Sequence, residues 1–502
     1  MKAFRLAACL LAAVLLLSSC GIIVINNRGE ETKPITTETD FPPLSDTNES
    51  KEYPLATETD GEGISEDRLQ TLPSKDLGGL SIFISVSKET GHIFNDEDEL
   101  YRAAVSRRNE KINKKYNVQI ITEYMSAEVL LNEVAMADKA GDYFSDFAVI
   151  RGGDFSAYVT KGYLLNLKSL PYTDYSAPYY RQNAMSQLTI DGAIYGAVGD
   201  ATEQLERYAC LYMNKTYAEA LGRTCPYEVV RDGGFTWEYY FASLKELPAE
   251  EIGFVSAFND EITAAMTLFS GGVHFLAAND RDVLRLACQN DMAKTMVGFA
   301  KTLFSHKTNA LEVTVTSPAD SADGTNEVAE TEVLTQKLTG FSVFEAGRSL
   351  YGIGTVGNME ALENAGFSWE ILPLPKTSEE QPYYTPVTVD APVIVALASS
   401  QNLDGMGYVL QALQAASHGY LANEFYVDAM QRLITGVNTL DMLDIIRENP
   451  FYDLAIFLGE DVKAVKAGTY GAFLNAVKGG KSLSSYLSKK EPELNAYLDK
   501  LS

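Results

Sequence analysis

Cysteine is scarce in this 502-residue chain: of five residues, only Cys210, Cys225 and Cys288 lie beyond position 20. Three such thiols allow one disulfide with one thiol to spare, or no bond at all, so the chain is not a disulfide scaffold. No Cys-x-x-Cys pair occurs, and His92, His274, His306 and His418 are scattered without the spacing of a zinc site. Positive charge is short as well. Lys and Arg number 41 against 68 acids, giving a formal charge of −27. So acidic a chain is a poor partner for nucleic acid or for an anionic lipid surface. The sequence contains no GxSxG, no HExxH and no P-loop, which removes familiar signatures of hydrolases, zinc proteases and nucleotide triphosphatases. Asp96–Glu99 and Asp280–Asp282 lack the glycine and terminal glutamate of a calcium loop and read as solvated helix starts. No metal and no cofactor is expected. Beyond the first 20 residues no apolar run is long enough to span a bilayer.

What is present begins with a targeting segment. Lys2 and Arg5 precede the apolar stretch Leu6–Leu17, which is too short for a permanent span and has the form of a secretory signal. Leu17-Ser18-Ser19-Cys20-Gly21 looks like a bacterial lipobox, in which Cys20 becomes the acylated first residue. The plainer alternative is an ordinary signal peptide that happens to hold a cysteine. An acyl chain would place the protein on the outer face of the cell membrane without spanning it. Residues 21–77, rich in Thr, Glu, Asp, Ser and Pro, bury too little to offset the entropy of ordering and read as a disordered tether. The remaining length suits two domains.

Leu80–Val86, Val118–Tyr124 and Asp146–Ile150 read as strands, with helices at about Asp96–Tyr116 and Ala127–Ala140 between them. Such alternation argues for a parallel sheet covered on both faces. Leu188–Val198 resembles a hairpin turned on Asp191-Gly192, and Tyr208–Asn214 a strand that crosses into a second domain. Phe344–Pro375 has a second βαβ-type pattern, followed by the extended, apolar Tyr383–Ala398. The expected division is lobe 1 from 78–205 plus 341–390, and lobe 2 from 206–340 plus 391–502. The acidic insert Glu312–Gln336 is expected as a mobile surface loop in the second. Two α/β lobes joined by several crossings make a hinged cleft.

The blocks DFAVIRGGDFSAYVTKGYLLNL, GAIYGAVGD, YACLYMNKTYAEALG, GGFTWEYYFASLKEL and FEAGRSLYGIGTVGNMEAL, then WEILPLPK, resemble family 1 extracellular solute-binding proteins in order and spacing. They cover roughly residues 79–398. The resemblance implies an α/β fold of the type II periplasmic-binding-protein kind, closing on a small solute and handing it to an ABC permease. It implies a non-enzymatic monomer, and a sugar or oligosaccharide as the first guess for the ligand. A peptide or organic acid on the same fold, a surface glycan hydrolase, and a binding module without a transport role are the other readings. The acidic insert and the spacing of Tyr172–Tyr180 do not fit a sugar-binding subgroup.

Several residues are candidates for ligand contact, each with a plainer use. Arg151 and Asp154 follow the third strand, where open α/β sheets place ligands, and each can hold a pair of hydroxyls; they can equally pair with one another. Asp200, just before the crossing, has the same two readings. Gly352-Ile353-Gly354-Thr355-Val356-Gly357 fits GxGxxG with Glu370 eighteen residues on, but a lone fingerprint late in an exported chain does not make a dinucleotide site. Gly354 and Thr355 instead offer backbone amides to a ligand, or a simple helix cap. Trp237 presents an aromatic face of the kind sugar rings pack on, or anchors its own helix. Tyr195, Tyr212 and Tyr384 lie near the crossings and are expected to line the cleft.

Overall fold

Leu80–Ser87, Val118–Met125 and Phe147–Arg151 are parallel neighbours, with Leu80–Ser87 in the centre, as the alternating pattern predicts. The computed structural model describes residues 23–24, 68–90, 99–245, 247–248, 251–279, 283–318, 331–388, 390–417 and 437–501. Cys20, most of the expected tether and His92 and His418 lie outside them. Arg68–Thr71 is a short helix with Leu69 buried, and the Leu77 amide donates to the Tyr116 carbonyl at 2.8 Å. The last ten residues of the expected tether are thus docked on the first lobe.

Ala127–Ala140 is the clearest case of local sequence dictating structure. Ser126 caps it by accepting from the Val129 amide at 3.3 Å, Gly141 ends it in the left-handed region, and Leu130 and Val134 are buried. The hairpin at Asp191-Gly192 forms as expected, with φ of 49° and 73° matching the twist of a two-residue turn.

The domain boundaries need correction. Tyr351–Thr355 does not join the first sheet; it lies between Ala209–Asn214 (antiparallel) and Phe254–Ser256 (parallel) in a second sheet. Trp369–Leu372 pairs with the other edge of Ala209–Asn214. Pro392–Ala396, expected in lobe 2, is antiparallel to Phe147–Arg151 at the edge of the first sheet. The buried helix Leu403–Ser417 follows it onto the same lobe, against Glu99–Tyr116 and Leu80–Ser87. The Tyr351–Thr355 and Pro392–Ala396 strands are buried almost throughout, and an apolar run covered on both faces fits either sheet equally well. The flanks of the acidic insert are likewise ordered: Ala310–Pro318 and Thr331–Thr339 pair in register from Ala310↔Thr339 to Pro318↔Thr331. Residues 319–330 lie outside the described residues. A third strand, Ile23–Val24, pairs antiparallel with Ala310–Pro318.

Among the described residues, three segments pass between the lobes side by side. The Ala209 amide donates to Val387 O at 2.7 Å, Phe451 N to Pro386 O at 2.7 Å, and Thr388 N to Phe451 O at 3.2 Å. This ribbon, bordered by Tyr208↔Thr388 and Val387↔Phe451 bridges, is the hinge.

Candidate functional site

The ends of both sheets and the ribbon bring charged side chains together from five distant stretches. At the end of Phe147–Arg151, a single turn of 3-10 helix at Gly152–Asp154 folds Asp154 back onto Arg151. The guanidinium donates twice, Nε to Oδ2 at 3.1 Å and Nη2 to Oδ1 at 2.8 Å. Glu460, beyond the end of helix Leu454–Gly459, lies 3.9 Å from Arg151 Nη2. A Cβ at Gly153 would stand 2.0 Å from Glu460 Oε2, so a larger residue there would push the Glu460 carboxylate away from Arg151. Asp154 holds Arg151 above the usual guanidinium range, against the pull of burial, so it stays charged. Burial pushes Glu460 up; Arg151 lowers it again, while Asp390 adds to the rise.

Arg207 forms the second cationic centre. Nη1 donates to Asp390 Oδ2 at 2.7 Å and to the Asp390 carbonyl at 3.0 Å, while Nη2 donates to the Glu89 carbonyl at 2.9 Å. Gln204, which accepts from Arg207, donates in turn to the Thr90 carbonyl at 2.7 Å. Arg207 therefore ties two crossings to the end of the central strand of the first sheet. Glu206, beside it, is partly buried and its backbone faces Gly357 of the second lobe.

Burial pushes the Glu206 carboxyl up to about 7, with Glu360 and Glu203 adding to it. A carboxyl that holds its proton more tightly when folded contributes stability in full below its ordinary value of 4.5, and this is lost as pH rises through about 7. Glu206→Gln is expected to be more stable than the parent by about 3 kcal/mol at pH 8 and equal to it near pH 4, in urea midpoints taken across pH. A pH-independent difference would contradict the assignment.

Of the residues expected from sequence, Arg151 and Asp154 are at this place, paired with one another. Asp200 is buried and lies 3.4 Å from Arg181, which also pairs with Glu203 beneath the hinge. Thr355 caps the 3-10 helix Val356–Leu362: its amide donates to Asn358 Oδ1 at 2.8 Å, and a Cβ on Gly354 would meet that same oxygen at 2.5 Å. Gly354 is therefore a packing glycine within a paired strand, and the capped amides are not open to a ligand. Tyr195 is half-buried against the hydrophobic core.

Three aromatics expected in the cleft are core residues. Trp237 is fully buried, donates from Nε1 to Ser270 Oγ at 2.9 Å and stacks on Phe241. Tyr212 donates to the Thr355 carbonyl at 2.7 Å with its ring against Phe341 and Trp369. Tyr384 donates to the Val230 carbonyl at 2.9 Å and accepts from the Phe235 amide at 3.3 Å. Each has its polar tip satisfied inside the protein, which removes the reason to face a ligand. The tyrosines of 172–180 are structural too: Tyr180 donates to Gln411 at 3.1 Å, and exposed Tyr172 stacks on Tyr408.

Glu370, the ribose-acid mimic of the GxGxxG pattern, is buried and accepts from Tyr227 at 2.6 Å and Thr439 at 3.0 Å. Cys210, Cys225 and Cys288 are free thiols, Cys210 and Cys288 buried. Among the described residues no group of three His, Cys, Asp or Glu is arranged to hold a metal, and no helix is long and apolar enough to cross a membrane.

Sequence reasoning missed Glu89, Glu206, Arg207, Asp390 and Glu460. The only local signal was position, since Glu206-Arg207 and Asp390 each stand just before a strand on a crossing segment.

A search of curated proteins returns no match. Solved structures match over most of their length. A cyclo/maltodextrin-binding protein complexed with maltotetraose aligns with a TM-score of 0.52 at 14% identity, covering 83% of this chain and 96% of its own. UspC of M. tuberculosis aligns at 0.50 and 14%, covering 83% and 100%. A cyclic alpha-maltosyl-1,6-maltose binding protein from Arthrobacter globiformis aligns at 0.50 and 13%, covering 84% and 99%. At such identities these likenesses establish the fold, that of the type II periplasmic binding proteins, with two α/β lobes around a cleft. The family model for bacterial extracellular solute-binding proteins matches residues 108–409, more than half of the sequence, and the chain belongs to that family.

Proposed function

We propose that this protein is the lipid-anchored, extracytoplasmic receptor of an ABC importer, capturing a sugar or oligosaccharide by hinge closure and delivering it to the permease. It acts by binding and not by catalysis, as a monomer. The observation that carries this reading is the placement of Arg151, Asp154, Arg207, Asp390 and Glu460 where the sheet ends meet the three-segment ribbon. Guanidinium and carboxylate groups each engage adjacent hydroxyls in two-point fashion, and a solute touching both lobes favours the closed form. The carbohydrate class is supported by two structural neighbours, one complexed with maltotetraose and one a cyclic alpha-maltosyl-1,6-maltose binding protein.

The test is a thermal-shift and calorimetry screen of the exported protein against maltodextrins, cyclic glucans, peptides and organic acids. A ligand at a hundred times its Kd adds about 2.7 kcal/mol, enough to move the melting temperature by several degrees. Arg151→Met is expected to raise Kd for the sugar by roughly tenfold or more, with little change in unliganded stability. Shifts confined to peptides or acids would overturn the carbohydrate reading, and a sugar converted to products would overturn the binding role.

A further inference from the structure

The arginines of the candidate site are already engaged by the protein itself. Arg151 gives Nε and Nη2 to Asp154, while Arg207 gives Nη1 to Asp390, Nη2 to the Glu89 carbonyl and Nε to Gln204. Acceptors are left over instead. Glu460 stands 3.9 Å from Arg151 Nη2, beyond hydrogen-bond range, and its side chain is 56% exposed. Asp390 Oδ1 is buried and has no hydrogen-bond partner among the described residues. A buried acceptor in that state is costly until a donor reaches it.

The balance of charge points the same way. Asp154, Asp390 and Glu460 all act on Arg151, and Asp461, which accepts from Ser156 Oγ at 3.3 Å, acts on Glu460. Two guanidiniums thus stand among four carboxylates. Burial pushes the Glu460 carboxyl up; Arg151 opposes the rise, and Asp390, Asp154 and Asp461 add to it. The negative charge at Glu460 is therefore incompletely offset.

We infer that the cleft selects a saccharide that carries a protonated amine, in preference to a neutral glucan or a sugar acid. The inference rests on the proposal that this cleft binds a sugar, and it adds the charge of that sugar. A hydroxyl can donate to Glu460 or Asp390 but leaves their charge in place. An ammonium donates and neutralises at once, and a carboxylate on the solute would meet like charge. Closing the lobes removes water from the site and strengthens each of these interactions. The charge of the solute then bears on closure itself, because a cation beside Glu460 and Asp390 relieves the repulsion that closing would raise.

The experiment is calorimetry of the exported protein with sugars in matched pairs: maltodextrins and their 6-amino-6-deoxy derivatives, and chito-oligosaccharides with free and with acetylated amines. Oligogalacturonates supply the acidic arm. In each pair that binds, the amine form is expected to be at least tenfold tighter, with the gap shrinking in about 1 M salt, where the screening length is about 3 Å. Oligogalacturonates are expected to bind most weakly. Glu460→Gln is expected to remove most of the amine preference, and Asp461→Asn part of it. Melting temperatures of the unliganded variants show that each is folded. A neutral sugar that equals or beats its amine partner would overturn the charge preference and leave sugar capture standing. An amine preference unchanged in both variants would overturn its assignment to these carboxylates. Binding of peptides or organic acids with no sugar bound would overturn the sugar reading, and the inference with it.

Discussion

Replacing Arg181 with methionine is expected to destabilise the protein by about 3–5 kcal/mol, the usual cost of stranding buried charge. Arg181 Nη2 pairs with Glu203 Oε2 and lies 3.4 Å from Asp200 Oδ1, and both acids are nearly inaccessible. Burial opposes the charge on Arg181, but Glu203 and Asp200 outweigh it and hold the guanidinium above its ordinary range. Glu203 is itself pushed up by burial, and Tyr208 donates to it at 3.3 Å. Removing the cation leaves two acids facing each other under the hinge. The double variant Arg181→Met with Glu203→Leu is expected to recover a large part of the loss, since an apolar pair does not carry the desolvation cost. Urea midpoints of both variants check this; an Arg181→Met protein as stable as the parent would show that the network is solvated. The consequence reaches the hinge, because Asn183 donates to the Pro450 carbonyl and Leu454 N donates to Gln187 Oε1 at 2.9 Å. The short helix Gln182–Gln187, with Arg181 at its N-cap, therefore joins the ion pair to the third crossing segment.

Trp237→Ala is expected to cost a similar 3–5 kcal/mol, the range for emptying a large aromatic site in a packed core. Trp237 fills a space bounded by Tyr240 and Phe241, and loss of its indole also strands the Ser270 hydroxyl as an acceptor. The informative companion is Trp237→Phe, which keeps most of the volume. It is expected to lose stability by a smaller amount and to leave the Kd for solute unchanged. A fall in affinity without a fall in stability would return Trp237 to the binding surface.

Trp237 also illustrates why the fold was more legible than the site. The helix Ala127–Ala140 announces itself through Ser126, a two-turn apolar stripe and Gly141, all within sixteen residues. Asp191-Gly192 states its turn in two. By contrast, nothing near Tyr351–Thr355 says which sheet it joins, because the partner is Ala209–Asn214, far upstream, and an apolar strand suits any covered position. The same limit applies to charged pairs. Arg151 with Glu460 and Arg207 with Asp390 are separated by much of the sequence, so their association is a product of the crossings and not of local pattern. Position after the third strand was enough to bring Arg151 and Asp154 into consideration, and the structure pairs them with one another. Tyrosine and tryptophan misled because residue type alone does not distinguish a ring that meets a ligand from one whose polar tip is satisfied by its own backbone.

The ribbon of three crossings has a consequence for biogenesis. Neither lobe is a continuous piece of chain: the first needs strands from Leu80–Ser87 to Pro392–Ala396, and the second runs from Ala209–Asn214 to the helix Leu483–Leu498. Late-arriving partners make for slow, non-local assembly. A nascent chain of 350 residues would hold two half-built sheets and no finished lobe. Such a polypeptide stays open until nearly all of it has been synthesised, which suits passage through a secretion channel as a thread. With the extracytoplasmic placement proposed above, the final collapse would fall on the far side of the membrane.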